Sequence, residues 1–383
     1  MAIETVRGFS DYTGEEALKR EKILEVLKKN FKLYGFEPAE TPIIEFEEFV
    51  KGENNYDEAV SDIFKLKDKG QRSLALRYEF TFQLKRIVQN KKLPYRRYQI
   101  GAVFRDEPIS ANRVRQIIQC DADIVGSTEK EESEILVLTT KICKELGINS
   151  RILINNRKLM NSAIKSLGIE NTEFVLREID KIDKQGDDQV KLNMAKFIPK
   201  DKIINLFKIL DKKLSFFKKY DGYKEIKQLI DLCDIYGVEI IFSPKLARGL
   251  SYYNGSVFEI KTENMKEAIG GGGSYLVNEI PATGISLGLE RLSQLAKIKT
   301  DERNILIISI EQDKKAIGLA EKLRKKDKAC IVWTDKVSKG LEYANSRNFP
   351  YVVFVGKEEI KKRKFKLRDM KTGKEKLVSE KEI

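Results

Sequence analysis

The runs RRYQIGAVFRDE (residues 96–107) and RVRQIIQCDADIVG (residues 113–126), joined only by PISAN, constrain the fold of this chain more than any other feature. Side chains of a strand alternate between its two faces. In the second run Arg113, Arg115, Gln119, Asp121 and Asp123 share one parity, while Ile118, Cys120, Ala122 and Ile124 share the other. A slip of one residue would exchange those faces, so the register is fixed wherever the apolar side is buried. The reading is a pair of strands with one packed apolar face. The opposite face carries cations at one end and an amide with two carboxylates at the other. Gathering charge on a sheet is costly without partners, so this face is expected to meet a ligand.

The flanking segments extend the same domain. Residues 14–34 carry Leu18, Ile23, Leu24, Leu27, Phe31 and Tyr34 at helical spacing, closed by Gly35. FEPAETPIIEF follows as extended chain, and Pro38 and Pro42 suit an edge or an interface better than a sheet centre. From Ser73 an alternation puts Arg77 and Glu79 on one face, with Thr81 expected to cap a helix through FQLKRIVQN. Residues 157–225 change to lysine-rich helical patterns, with Ile203, Leu206, Phe207, Leu210, Leu214 and Phe217 on one stripe. That stretch reads as a helical insertion without a catalytic constellation.

Strand character returns in YGVEIIFSP, and LARGLSYYNG follows at 246–255. Asn254-Gly255 is the strongest short-range hairpin signal of the chain. IGGGG, residues 269–273, removes the side chain from four consecutive positions and permits close approach of another backbone or a ligand. No GK[ST] follows, so it is not a P-loop, and on its own it reads as a glycine-rich turn. In TGISLGLERLSQLAK a short strand runs into a helix with Arg291 in its first turn. An arginine there opposes the helix dipole unless it meets an anion; a plain surface arginine also fits.

From residue 303 a βαβαβ rhythm predicts a small domain with a parallel or mixed sheet covered by helices, and the boundary is placed near KIKTDERN, 297–304. Residues 300–383 hold 22 Lys and Arg against 14 Asp and Glu, a large part of the net +13. A polyanionic partner would explain that excess, and so would a lysine-rich composition. The four cysteines are scattered and there is no histidine, which argues against a zinc site, a disulfide framework or any His-dependent nucleophile. Catalysis would rest on Arg, Lys, Asp, Glu, Tyr, backbone amides or a bound cation. No apolar run approaches a membrane span, and the first residues lack the pattern of a signal peptide, so a cytoplasmic protein is expected.

In this order the segments resemble histidyl-tRNA synthetases, a class II aminoacyl-tRNA synthetase family. RGFSDY (7–12) and GFEPAETPIIE (35–45) resemble its opening and motif 1; RYQIGAVFRDE with NRVRQIIQCDADIVG resembles motif 2 and GISLGLERL motif 3. LRYEFT (76–81) resembles the segment that binds the amino group, and LARGLSYYNGSVFE and IGGGGSY resemble the two segments particular to this family. The resemblance implies an α+β catalytic domain over 1–298, with a mainly antiparallel six- or seven-stranded sheet flanked by helices and a helical insertion at about 157–225. It implies an α/β anticodon-binding domain over 300–383. The implied reaction joins histidine to ATP as histidyl-adenylate with release of pyrophosphate, then transfers histidine to its cognate tRNA; the alternative is a non-catalytic regulatory or tRNA-sensing paralogue. The implied partners are ATP, Mg²⁺, L-histidine, the histidine tRNA and a second copy in a homodimer, without a dedicated metal site or a membrane.

Residue by residue, the resemblance puts Arg105 at the α-phosphate, Arg113 and Glu107 at ATP, and Arg291 against adenine and the γ-phosphate. Arg248 would act at the α-phosphate and carboxylate. Glu79 and Thr81 would bind the amino group, and Gln119 and Asp123 would face the substrate histidine. Tyr252 and Tyr253 would sit beside its ring, and Gly271 and Gly272 would form the floor. Tyr78, Asn112, Ser251, Ser274 and Leu276 depart from the family's usual residues.

Overall fold

The computed structural model describes residues 3–52, 62–110, 113–248, 252–299 and 305–383. Asn112 and Ser251 lie outside them. The chain divides into two compact units, Met1–Ile298 and Lys299–Ile383. Strands of the first unit are β1 (Glu37–Pro38), β2 (Ile44–Phe46), β3 (Lys65–Lys67), β4 (Ser73–Leu76), β5 (Tyr95–Phe104), β6 (Gln116–Val125), β7 (Arg151–Asn156), β8 (Ile240–Phe242), β9 (Tyr253–Thr262), β10 (Met265–Val277) and β11 (Ile280–Gly288).

Eight of these form one sheet in the order β1-β5-β6-β11-β10-β9-β7-β8. The six long strands are antiparallel throughout, and the short β1 and β8 add parallel edges. Pro38 ends the two-residue β1, at the sheet margin where its missing N–H costs no ladder bond. Arg97 stands opposite Asp123, Gln99 opposite Asp121 and Gly101 opposite Gln119. The apolar parity of β6, Cys120, Ala122 and Ile124, packs with Ile23, Leu27 and Phe31 of helix Gly14–Leu33 and with Leu136 and Leu138 of helix Glu129–Glu145. Each Ile, Leu or Phe of this set contributes roughly 1.5–3 kcal/mol by leaving water. One face of the sheet packs this core, and the other sets polar groups beside a smaller apolar cluster around Val125, Tyr253 and Val257.

The glycine run lies inside β10 rather than in a turn. Added Cβ atoms at Gly270 and Gly272 would collide with Leu287 and Ser286 and with Gly284 of β11, so the run serves close strand packing. Asn254-Gly255, expected as a hairpin turn, is continuous strand in β9; the turn comes later, at residues 263–264, before Met265 pairs with Thr262. A Cβ at Gly255 would meet Ser274 at 3.1 Å, tighter than ordinary contact, so strand packing here favours a small residue. Thr81 is not a cap but the first residue of helix Thr81–Ile87; Phe80 precedes it with helical backbone and no side-chain hydrogen bond. β4 stops at Leu76, so alternation does not govern Arg77 and Glu79. Arg77 donates to the carbonyls of Thr41 and Ala102, whereas Glu79 accepts from Tyr252.

Between β7 and β8 lie helices Arg157–Lys165, Thr172–Asp180, Ile182–Gln185, Asp187–Met194, Lys200–Leu210 and Tyr223–Ile235. The expected stripe splits into helix Lys200–Leu210 and a 3₁₀ turn Leu214–Lys219, and it is buried at Ile203, Leu206, Phe207, Leu210 and Phe217. The second unit holds β12 (Ile305–Ser309), β13 (Cys330–Trp333), β14 (Tyr351–Val355), β15 (Phe365–Asp369) and β16 (Glu375–Val378), ordered β13-β12-β14-β15-β16. The first three are parallel and the last two antiparallel additions. Helix Asp313–Arg324 covers one face and Val337–Ser346 the other. Among the described residues no helix is long and apolar enough to cross a membrane.

Candidate active site

A cleft of about 620 Å³ opens on the polar face of the large sheet. Arg105, Glu107, Arg113, Gln119, Arg248, Gly271 and Arg291 all line it. Glu79, Thr81, Asp123, Tyr252, Tyr253 and Gly272 do not; Glu79, Asp123 and Tyr253 are buried beneath, at 4–5% exposure.

The upper layer is cationic. Arg105 is steered by the Tyr78 carbonyl at 3.2 Å and by Gln119 Oε1 at 3.5 Å. Arg113 reaches Glu107 at 3.4 Å and Arg291 donates to the Ala268 carbonyl at 2.5 Å. Arg248 pairs with Glu259 at 3.2 Å, and its guanidinium carbon lies 5.9 Å from the centre of the Tyr253 ring. A Cβ on Gly271 would overlap Arg248 Nη1, so that glycine is the space in which the guanidinium sits. Burial lowers the pKa of Arg291, and Arg113, Arg105 and Arg248 lower it further against Glu267. Four guanidiniums converging in one cleft suit a polyphosphate, because the planar fork matches phosphate oxygens bidentately.

The lower layer is acidic. Tyr252 donates to Glu79 at 3.4 Å, and Gln119 Nε2 donates to Asp121 at 2.8 Å. Asp123 accepts from the Tyr275 hydroxyl and pairs with Arg97 at 3.0 Å. Burial pushes Glu79 up to about 8, with Arg105 pulling it back. Burial and mutual repulsion likewise raise Asp121, burial raises Asp123, and Arg97 opposes both shifts. Three buried carboxyl groups close enough to influence one another call for a ligand that carries cationic or N–H donor groups.

Several contributors were not read from the sequence. Tyr275 and Arg97 both reach Asp123; Arg97 shares the parity of Gln99 and Gly101, so strand alternation was the available signal. The insertion, read as chemically silent, brings Ile179, Asp180, Asp183 and Lys184 to the cleft, where Lys245, Lys261 and Lys266 join them. Of the atypical positions, Ser274 donates to Glu132 at 2.5 Å and accepts from the Ser256 amide at 3.1 Å. Tyr78 is buried against Phe82, and Leu276 is exposed.

Glu132 sits behind the glycine strand, and burial pushes it up to about 7. With Glu79 raised as well, the folded protein holds protons that the unfolded chain, with carboxyl pKa values near 4, releases. Stability from these groups is complete below about pH 4 and is lost as pH rises through 7 to 8. The melting temperature of the ligand-free protein is expected to fall between about pH 4 and pH 8, and Glu132→Gln, which keeps a partner for Ser274, to flatten that fall below about pH 7. An unchanged slope in the variant would count against a buried, protonated Glu132.

The family description "Histidyl-tRNA synthetase" matches residues 8–292, and "Anticodon binding domain" matches residues 304–383. Histidine–tRNA ligase 1 of Bacillus anthracis is 35% identical, with 98% of this chain and 97% of that protein aligned. Histidine–tRNA ligase of Korarchaeum cryptofilum is 32% identical over 92% of this chain and 91% of its own length. The crystal structure of histidyl-tRNA synthetase from Nostoc sp. PCC 7120 superposes with TM-score 0.87 at 24% identity, covering 99% of this chain and 97% of that one. A second fold neighbour, from Bacillus halodurans C, is described as an ATP phosphoribosyltransferase regulatory subunit/histidyl-tRNA synthetase; its TM-score is 0.79 at 20% identity, over 92% and 98% of the two chains.

Proposed function

The chain belongs to the histidyl-tRNA synthetase family, and from that premise we propose how its two-layered site carries out the reaction. The enzyme is a histidine–tRNA ligase: it activates histidine with ATP to histidyl-adenylate and pyrophosphate, then passes histidine to the end of its tRNA. The observation that carries the reading is the meeting of four arginines that line one cleft with the buried carboxyl groups of Glu79, Asp121 and Asp123, which Gln119 and Arg105 link to it.

Activation is attack of a carboxylate, already a nucleophile, on the α-phosphate. It requires alignment and charge neutralisation rather than a general base, so a chain without histidine loses nothing. Arg105 and Arg248 would hold the α-phosphate and the reacting carboxylate. Arg113 and Arg291 would hold the rest of the triphosphate, with Glu107 keeping Arg113 in place. Glu79, ionised by an incoming ammonium, would take the amino group together with Thr81. Gln119, Asp123 and Tyr253 would surround the imidazole, with Tyr252 positioning Glu79. Gly271 and Gly272 would keep the floor flat.

Mg²⁺ would arrive on the triphosphate. It typically needs only one or two protein carboxylates beside phosphate oxygens, and Glu107 and Glu267 both line the cleft. When bound it would screen triphosphate charge. No group of three His, Cys, Asp or Glu side chains able to cage a metal occurs among the described residues.

The second unit would hold the anticodon of the tRNA. Ile43, Ile44 and Phe46 are exposed on and beside β2, a surface that suits a second copy of this chain. The compartment proposed is the cytoplasm. A regulatory paralogue would have no use for the arginine set, and the curated relatives matched along nearly the whole chain are ligases.

Pyrophosphate exchange with each of the proteinogenic amino acids in turn is the test. Exchange with histidine and no other is expected; no exchange with any of them would overturn the enzymatic reading.

A further inference from the structure

We infer that Arg97 is a positioning residue for substrate selection: its buried guanidinium holds Asp123 as an oriented anion and ties it to the loop that carries Glu79. The inference rests on the reading of Asp123 as the carboxylate that meets the imidazole. It assigns a role to a residue that the cleft does not expose.

Arg97 is fully buried, at 0% exposure, and is the largest such side chain among the described residues. A buried guanidinium is costly without partners; here Nη1 and Nη2 are held by three groups, while Nε has none among the described residues. Nη2 lies 3.0 Å from Asp123 Oδ2 and donates to the Phe80 carbonyl at 3.2 Å. Nη1 donates to Gln99 Oε1 at 3.2 Å, and Gln99 Nε2 donates in turn to Thr41 Oγ1 at 2.7 Å. Phe80 is the residue between Glu79 and Thr81. One side chain therefore sets the distance between the pair proposed for the ammonium end of the substrate and the carboxylate proposed for its ring.

The pocket also needs a buried cation. Asp121 stands two residues from Asp123 on the same strand face, and Glu79 is close enough to be felt by both. Three buried carboxyl groups cannot all ionise without compensation. Protonated, Asp123 would donate where the ring N–H requires an acceptor, and the discrimination available from a buried polar pair would be lost. The ion pair leaves Asp123 Oδ2 without a hydrogen bond of its own, and Asp121 Oδ1 is likewise open. Unfilled acceptors of this kind are what an incoming N–H donor would fill.

The experiment compares Arg97→Met, Arg97→Lys and Asp123→Asn with the parent protein in pyrophosphate exchange from about pH 6.5 to pH 9. KM for histidine and for ATP are measured separately, and melting temperatures confirm folding. Loss of a charge-assisted contact of this class corresponds to about 10–100-fold. Arg97→Met is expected to raise KM for histidine within that range and leave KM for ATP within about threefold. Its KM should improve with rising pH more steeply than the parent's, because Asp123 without its cation ionises later. Arg97→Lys restores charge without the fork, so it should keep the parental pH profile with an intermediate KM. A folded Arg97→Met with parental KM for histidine overturns the inference. So does one in which both KM values rise alike and the pH profile is unmoved. If Arg97→Met does not fold, Arg97→Lys decides, and a parental KM for histidine in it overturns the inference. Asp123→Asn separates the two readings: if it leaves histidine binding untouched, the assignment of Asp123 itself falls, whereas a severe Asp123→Asn beside a harmless Arg97→Met removes only Arg97.

Discussion

Arg248→Ala lowers the rate of histidine-dependent pyrophosphate exchange by about 10²–10³-fold, the scale of losing one preorganised charge at the reacting centre, while KM for ATP stays within a few-fold. The expectation follows from where the guanidinium sits. Arg248 lines the cleft, paired with Glu259 and close to the buried Tyr253. On the proposed assignment, Arg105, Arg113 and Arg291 would remain to bind the triphosphate in its absence. What would be lost is the charge at the point where carboxylate and α-phosphate meet, which matters most when both bear their greatest negative density. Gly271→Ala provides an independent version of the same experiment. Its methyl would occupy the volume of Arg248 Nη1, so the arginine is displaced with no change in charge or identity. Both variants should show the rate defect, resolved by single-turnover adenylate formation at saturating ATP. Parallel losses in rate and ATP binding for Arg248→Ala, or a parental rate for Gly271→Ala, would contradict the assignment.

How much of this was legible in the sequence depended on which physical rule governed each element. β5 and β6 were readable because period-two alternation and burial of one face make the same demand. From that alone Gln119, Asp121 and Asp123 fell on one surface. Asn254-Gly255 misled because both residues favour turns locally, while the close approach of β9 and β10 at Ser274 requires a small residue in extended chain. Tertiary packing set that conformation, and propensity is a weak prior against it. Thr81 failed as a cap for a related reason: the chain enters the helix from Phe80 in helical backbone, so there is no extended cap position for a hydroxyl to fill. The insertion hid its contribution entirely, since Asp180, Asp183 and Lys184 become neighbours of the cleft only after chain distant in sequence folds back over β9. Arg97 was readable as a position on a strand but not as a partner; the register that sets it opposite Asp123 is a property of two strands together.

Removing residues 299–383 is expected to spare adenylate formation and to abolish efficient tRNA charging. The second unit has its own apolar cores, one around Ile305, Ile307, Leu319 and Val353 and another around Leu306, Ile308, Phe349 and Val352. The first unit builds its cores from other residues, so each has the means to fold without borrowing apolar surface. Every residue of the activation site lies before residue 292. The truncated protein should therefore exchange pyrophosphate within about threefold of the parent. Charging should differ, because the basic excess of the C-terminal unit and its match to anticodon-binding domains would put a share of tRNA affinity there. The gap between specific and non-specific nucleic-acid binding is about 10³-fold or more, and a loss approaching that size is expected in kcat/KM for tRNA. Salt supplies the internal control: phosphate contacts release counterions, so losing them shallows the dependence of tRNA binding on salt. Charging that survives truncation with its salt slope intact would move the tRNA-binding surface into the first unit. There Lys184, Lys245, Lys261 and Lys266 at the cleft are the cations that would have to supply it.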